Sequence, residues 1–390
     1  MRKKTSEKLL KCVDNILSSL EMFRNFKGNS YISAKINKLC SDNMAVLEEC
    51  ADGVENKEYL ELLDKFKESV SKINLEDAAE ISKKMKELIS ESIIYKVVFM
   101  PYKASMWDSL ESIWMAADKD ERCEALVVPI TYYELDSNRN PVKKVNERDR
   151  FPEYVNTIND EEYDLENDFP DIIYIHNPYD NTNLVTRVDS RYYSWNLKKY
   201  CEKLVYVPYY KWVDGVSSAS FKSAMYHADY TVQSSDDAVK RCMEASPEYA
   251  GILGMETIVV RKAMEKKLIN LGSPEVDKVL SLSKDNVPMP DDWKGKVIKS
   301  RVNVLYNTTL DEIFESRTFD KVKETLNFFK KNSEKAFVIW RPHPLMKQTL
   351  TSMLPNLIDE YDELMNEFIT GDYGVLDANS SMHYAIDRKS

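Results

Sequence analysis

The segment Ala336-Phe337-Val338-Ile339-Trp340-Arg341-Pro342-His343-Pro344-Leu345 allows few folds. Its apolar opening is rich in β-formers and predicts a buried strand. Prolines at alternate positions then forbid a helix and keep the backbone extended. Residues two apart project to one side of an extended segment. Arg341 and His343 are therefore expected to point together off a strand end. A guanidinium beside an imidazole suits an anionic oxygen such as a phosphate. The alternative is a locally bonded histidine beside a surface ion pair. In a parallel α/β sheet, ligands collect at such strand ends, which favours the functional reading.

The same strand, loop and helix order recurs upstream. Ile93–Met100 is a β-rich run, Pro101-Tyr102-Lys103-Ala104-Ser105 breaks it, and Met106–Trp114 resumes at helical spacing. Further strands are predicted at Ala125–Ile130, Asp171–Ile175, Leu204–Val207 and Tyr230–Ser234, with a helix from about Ser218. A polar insert from Asp136 to about Asp168, with the acidic patch Asp160-Glu161-Glu162, reads as a surface excursion. Leu271–Pro274 and Val287–Trp293 bracket a linker-like region. A second α/β unit follows, with strands at Val302–Tyr306 and from Ala336, and a third at Gly374–Leu376.

Residues 1–92 are different. Leu9, Val13, Ile16 and Leu20 form one stripe at steps of three and four, and Tyr59, Leu62, Phe66, Val70 and Ile73 form another. Gly28 and Gly53 mark breaks, and Asn74-Leu75-Glu76-Asp77 caps a last helix reaching about Ser90. The expectation is three or four antiparallel helices, as a bundle or as an arm through which copies of the chain associate. The divisions are 1–92, 93–275 and 276–390. The fold class is α/β, with two parallel sheets, the second incomplete, after a helical region.

Composition removes several functions. A net charge of −11 argues against nucleic acid as a partner. The six cysteines are scattered without metal-ligand spacing, as expected for reduced thiols in a cytoplasm. No apolar run approaches the roughly 18 residues of a membrane span. Glycine-rich nucleotide loops of the GxGxxG or GxxxxGK[ST] type are missing.

Every candidate site follows a predicted strand, so the loops are expected to share a crevice between the two sheets. Lys103 and Ser105 before a helix make an anion site or, equally, a surface lysine with a plain cap. His176 and Asp180 pair as base and orienter, or His176 is a structural hydrogen-bonder. Asn307, Thr308 and Thr309 offer groups for a phosphate, although alone they are more often a helix cap. Tyr209 and Tyr210 are weak candidates for stacking. Asp236-Asp237 and Asp291-Asp292 read as solvated turns and caps, and His227 as structural. His383 is given no role.

Six motifs in order resemble the CDP-glycerol glycerophosphotransferase family, the teichoic-acid-type polymerases and primases. They are Met100–Glu111, Ile175–Asp180, Leu204–Tyr209, Leu271–Pro274 with Asp277, Leu305–Thr309 and Trp340–Pro344, covering residue 93 to the end. The resemblance implies a GT-B-like fold of two Rossmann-like domains, the acceptor side first and the donor side second. It implies transfer of glycerol phosphate from CDP-glycerol, a nucleotide-activated polyol, to a hydroxyl of a lipid-linked or polymeric acceptor, releasing CMP. Arg341 and His343 would hold the pyrophosphate, His343 also counting among the catalytic candidates. Lys103, Ser105, Asp108, Asp180 and Tyr209 fall on the acceptor or anion side. No cofactor or metal is required. The family's lipid-linked acceptors imply a peripheral contact with the inner face of the membrane.

Two departures stand out. The family's His-Gly-Thr-Pro motif is replaced by Val207-Pro208-Tyr209-Tyr210-Lys211, leaving His176 as the first-domain candidate for a base. The family also continues beyond Tyr384-Ala385-Ile386-Asp387, so the donor domain is expected to be short. Competing readings are a GT-B nucleotide-sugar glycosyltransferase or epimerase, and a non-catalytic scaffold or fragment.

Overall fold

The computed structural model describes residues 1–26, 30–50, 57–209, 223–282, 289–297 and 302–378. Gly28, Gly53, Tyr210, Lys211, His383 and the 384–387 segment lie outside these residues. The chain falls into two compact units, Met1–Val97 with Ala117–Glu124, and Val98–Ala116 with Ala125–Ser390.

The first unit holds four helices, α1 (Lys3–Asn25), α2 (Ser30–Glu49), α3 (Lys57–Ser71) and α4 (Leu75–Glu91). Leu9, Val13, Ile16 and Leu20 are all buried, as their spacing predicts, against Tyr59, Leu62 and Phe66 of α3 and Met85 and Ile89 of α4. The α3 stripe stops sooner than expected. Ile73 lies past the helix end with φ 56° and is exposed. Asn74 then caps α4 by accepting the Asp77 N–H at 3.3 Å.

Twelve strands follow among the described residues. They are β1 (Tyr95–Met100), β2 (Cys123–Val127), β3 (Tyr132–Leu135), β4 (Pro141–Val145), β5 (Ile172–Ile175) and β6 (Thr186–Val188), then β7 (Lys203–Tyr206), β8 (Tyr230–Gln233), β9 (Leu268–Asn270), β10 (Val302–Thr308), β11 (Ala336–Pro342) and β12 (Gly374–Leu376). A six-stranded sheet runs β2-β1-β5-β7-β8-β9, and the β5–β7, β7–β8 and β8–β9 pairs are parallel. Strand order reverses beside β1, so the loops after β1 and β5 flank a topological switch point, where open α/β sheets bind ligands. Helix α5 (Asp108–Lys119) follows β1.

The polar insert lies mostly at the surface, as expected, but it is structured and sends four residues inward. It forms β4, which pairs antiparallel with β3 in a small sheet ordered β4-β3-β6. Phe151 and Val155 are buried, and so are Glu147 and Asp160. Asp160 accepts the Thr131 N–H at 2.9 Å and the Asn146 side-chain amide at 3.1 Å. Its carboxylate satisfies an otherwise orphaned backbone donor, so an acidic residue belongs inside.

The second parallel sheet is β10-β11-β12. Alternate residues of β11 enter separate cores, Val338 and Trp340 with Phe319 and Phe368, Phe337 and Ile339 with Trp293 and Val375. Burial on both faces explains the unbroken apolar run. Gly374 is needed for close approach, because a Cβ there would stand 2.5 Å from the Val338 carbonyl oxygen. The linker-like region is also more structured than expected, with a helix at Pro274–Ser281 and a fully buried Trp293. Two parallel sheets of unequal size, each with its own core of helices and strands, make the α/β fold expected from the alternation of strands and helices along the chain.

Candidate functional site

The loop after β1 is pinned from two directions. The Tyr102 N–H donates to His176 Nε2 at 3.0 Å, and the Ala104 N–H donates to Glu147 Oε2 at 2.9 Å. Lys103, between these anchors, is only 2% exposed. Its Nζ lies 3.4 Å from the Tyr132 hydroxyl and 3.2 Å from Gln348 Oε1, and sits 4.6 Å from the Tyr132 ring centre. Burial pulls its pKa down to about 8; Glu147 and Glu134 oppose the shift, and Arg150 adds to it.

A cavity of about 570 Å³ opens beside this lysine. Lys103, Ser105, Glu147 and Arg150 line it from the larger α/β region, and Arg341, His343, Gln348 and Asp377 from the smaller one. The expected meeting of Lys103 and Ser105 with Arg341 and His343 is therefore realised. Ser105 lies in a short 3-10 turn, Ala104–Met106, and α5 starts only at Asp108. Asp108 is half-buried and is not part of the cavity wall.

Arg341 is almost fully buried and donates from Nη1 to Asp377 Oδ2 at 2.8 Å. Asp377 follows β12 directly, and its own N–H bonds the Trp340 carbonyl at 2.8 Å. The ion pair is thus built on adjacent strands and fixes the guanidinium. His343 Nδ1 accepts the Leu345 N–H at 3.1 Å, so the neutral ring carries its proton on Nε2. Burial and then Arg341 hold its pKa below the ordinary histidine value, against the pull of Asp311. His343 at neutral pH is a donor aimed by its backbone contact, suited to an anionic oxygen.

His176 lies elsewhere. It is fully buried and not part of the cavity wall. Nε2 accepts from Tyr102, and Nδ1 meets Ser109 Oγ at 3.0 Å. Ser109 donates its own proton to the Met106 carbonyl at 2.7 Å, so Nδ1 must carry the ring proton. Burial drives the pKa down to about 3. Both nitrogens are spent inside the fold, one on the β1 loop and one on Ser109 of α5, and the ring has no lone pair for a substrate.

Asp180 does not orient His176. Its carboxylate accepts the Ser194 N–H at 2.7 Å and the Ser194 hydroxyl at 2.5 Å, and burial raises its pKa. Tyr209 is half-buried with its ring 6.1 Å from that of His176. The Asn307 to Thr309 segment also stays out of the cavity wall. Asn307 is exposed in register with Arg341, Thr308 accepts the Trp340 indole N–H at 3.3 Å, and Thr309 caps the Leu310–Ser316 helix through Glu312 N–H at 3.5 Å.

Four cavity residues with charged or amide side chains were missing from the sequence-based set, namely Glu147, Arg150, Gln348 and Asp377. The strand-end rule that singled out Arg341 applies equally to Asp377 after Gly374–Leu376. The other three carry no comparable signal. Gln348 lies on the Met346–Met353 helix, accepts from Lys103 and donates to Glu134 Oε1 at 2.9 Å. These partners are 245 and 214 positions away in sequence.

No family model matches the chain, and no curated protein matches it by sequence. Solved structures resemble it at low identity. The UDP-GlcNAc 2-epimerase of Methanocaldococcus jannaschii, in complex with UDP-GlcNAc and UDP, is 12% identical over 74% of this chain and 75% of its own, with a TM-score of 0.44. S. aureus MnaA with UDP is 12% identical over 73% and 68%, at 0.41. The wall teichoic acid polymerase TagF is 10% identical over 86% and 74%, at 0.39. Likenesses this distant transfer no substrate or activity to this chain.

Proposed function

We propose that the chain is a GT-B-like transferase that moves glycerol phosphate, or a similar polyol phosphate, from CDP-glycerol to a hydroxyl of a polymeric or lipid-linked acceptor, releasing CMP. One observation carries this reading. In a chain of net charge −11, one cavity collects Lys103 and Arg150 from one α/β region and Arg341 and His343 from the other. The carboxylates beside them are engaged, Glu147 by Ala104 and Tyr132, Asp377 by Arg341. Such a wall suits a pyrophosphate and the charge that develops during phosphoryl transfer. The choice of CDP-glycerol rests on the six ordered motifs, among them Trp340–Pro344 at this site. A lipid-linked acceptor would place the protein at the inner face of a membrane. Among the described residues no helix is long and apolar enough to cross one.

Calorimetric titration with CDP-glycerol, with UDP-sugars alongside, tests the reading. Saturable binding of CDP-glycerol is expected, weakened at least about tenfold in Arg341→Ala, since a hydrogen bond to a charged group contributes roughly 1.5–3 kcal/mol. Arg341→Lys keeps a cation for Asp377 and serves as the folded control. A folded wild-type chain that ignores CDP-glycerol overturns the proposal, and selective binding of UDP-sugars moves the substrate class to nucleotide sugars.

A further inference from the structure

The proposed transfer needs a group to take the proton of the attacking hydroxyl, and the neighbouring titratable groups are mostly committed. His176 has both nitrogens bonded inside the fold. His343 presents Nε2–H, a donor. Glu147 accepts the Ala104 N–H on Oε2 and the Tyr132 hydroxyl at 2.8 Å on Oε1, with Arg150 3.5 Å away. Asp377 holds Arg341, and Glu134 accepts from Gln348 with Lys143 at 3.7 Å.

Lys103 differs in kind. The Tyr132 hydroxyl proton goes to Glu147, so its oxygen faces Nζ as an acceptor. The Gln348 amide nitrogen donates to Glu134, so its carbonyl also faces Nζ as an acceptor. Both contacts require N–H groups from the lysine. An uncharged amine has two N–H groups and one lone pair. Once both are used, the lone pair takes the remaining tetrahedral direction of a nitrogen whose residue forms the cavity wall.

We infer that Lys103, as the neutral amine, is the catalytic proton acceptor of the proposed transfer, with Gln348 as the residue that positions it. The inference rests on the function proposed above. In the step, the acceptor hydroxyl gives its proton to the Nζ lone pair, leaving an ammonium. The hydroxyl oxygen's electron pair forms the new O–P bond. The bond from that phosphorus to the bridging oxygen breaks, and its electron pair leaves with CMP. Burial supplies a usable fraction of amine near neutral pH, because it brings the lysine down to about 8. The charged groups that face Lys103 are Glu147 and Glu134, which favour the ammonium, and Arg150, which disfavours it. Across the cavity wall, His343 and Arg341 complete the set.

The test is the pH profile of kcat/KM for glycerol phosphate transfer from CDP-glycerol. Activity should rise through an apparent pKa near that of Lys103 and fall on acidification, since only the amine accepts a proton. Gln348→Glu sets a carboxylate beside Nζ, favours the ammonium and should move the rising limb to higher pH by about a unit or more. Lys103→Met, which keeps the stem without the base, should lower kcat by about 10²-fold or more and erase the limb. Urea unfolding of Lys103→Met beside the wild type shows that the chain is still folded. A limb that survives in Lys103→Met, or stays in place in Gln348→Glu, overturns this inference alone. Binding of CDP-glycerol without any transfer by the wild-type chain overturns it together with the function on which it rests.

Discussion

His176 and His343 stand in the same kind of place, each on a proline-bearing loop just after a parallel strand, yet they end in opposite roles. After β5, the ring turns inward, one nitrogen tying down the β1 loop and the other meeting Ser109 at the start of α5. After β11, the ring is anchored by one nitrogen and helps to line the cavity. Strand-end position brings a histidine near the crevice. The partners of its two nitrogens decide whether it faces a ligand. The buried His176 still matters to function at one remove, because it and Glu147 hold the two N–H groups flanking Lys103.

The largest expected effect separates the two rings by stability. The folded-state pKa of His176, about 3, lies below the ordinary value of 6.5. Between these values the unfolded chain binds the extra proton, so stability rises with pH. The contribution is complete above about pH 6.5 and is lost on acidification toward pH 3, at up to about 1.4 kcal/mol per pH unit. Urea unfolding at pH 7, 6 and 5 should show this slope in the wild type and lose it in His176→Gln, whose carbonyl can still accept the Tyr102 N–H. Turnover by that variant should keep its pH dependence. A collapse of kcat with unchanged stability would return His176 to the role of base.

How much was legible beforehand follows from what each residue answers to. The runs that became β1, β7 and β11 are apolar because strands inside such sheets are covered on both faces, a local pattern. Lys103, Ser105, Arg341 and His343 could be placed in one crevice because strand ends converge in such sheets. Glu147 and Gln348 could not. Their roles exist only after distant segments pack, and a glutamine on a helix looks like any surface glutamine. Within the insert, Asp160 departs from its exposed neighbours for a related reason. Polar residues suggest solvent until a buried N–H, here that of Thr131, needs an acceptor. Asp180 was paired with His176 by proximity in sequence, whereas the chain turns at Asp180 (φ 49°) and gives its carboxylate to Ser194.

A middle-sized effect tests the other ring. His343→Leu removes the Nε2–H donor and should weaken CDP-glycerol binding by about tenfold, the loss of roughly one hydrogen bond to a charged group. Unfolding stability should change little, because the ring is half-buried and makes one backbone contact through its side chain. If His343→Leu destabilises the fold as strongly as His176→Gln while binding is unaffected, the contrast between the two histidines fails.

The smallest effect lies at Thr309, where phosphate ligand and helix cap were the alternatives. The residue is exposed, is absent from the cavity wall, and accepts the Glu312 N–H at a long 3.5 Å. N-cap threonines typically contribute about 1 kcal/mol, and a contact at the limit of hydrogen-bond length should contribute less. Thr309→Ala should therefore lower stability by under about 1 kcal/mol in urea unfolding and leave CDP-glycerol affinity unchanged. Arg341 near the end of β11 and Thr309 just after β10 stand at one edge of the same sheet, so a loss of affinity in Thr309→Ala would mean that the donor extends along the β10 edge. Unchanged affinity would keep the phosphate between the β1 loop and the Arg341–His343 segment, where Lys103 can reach it.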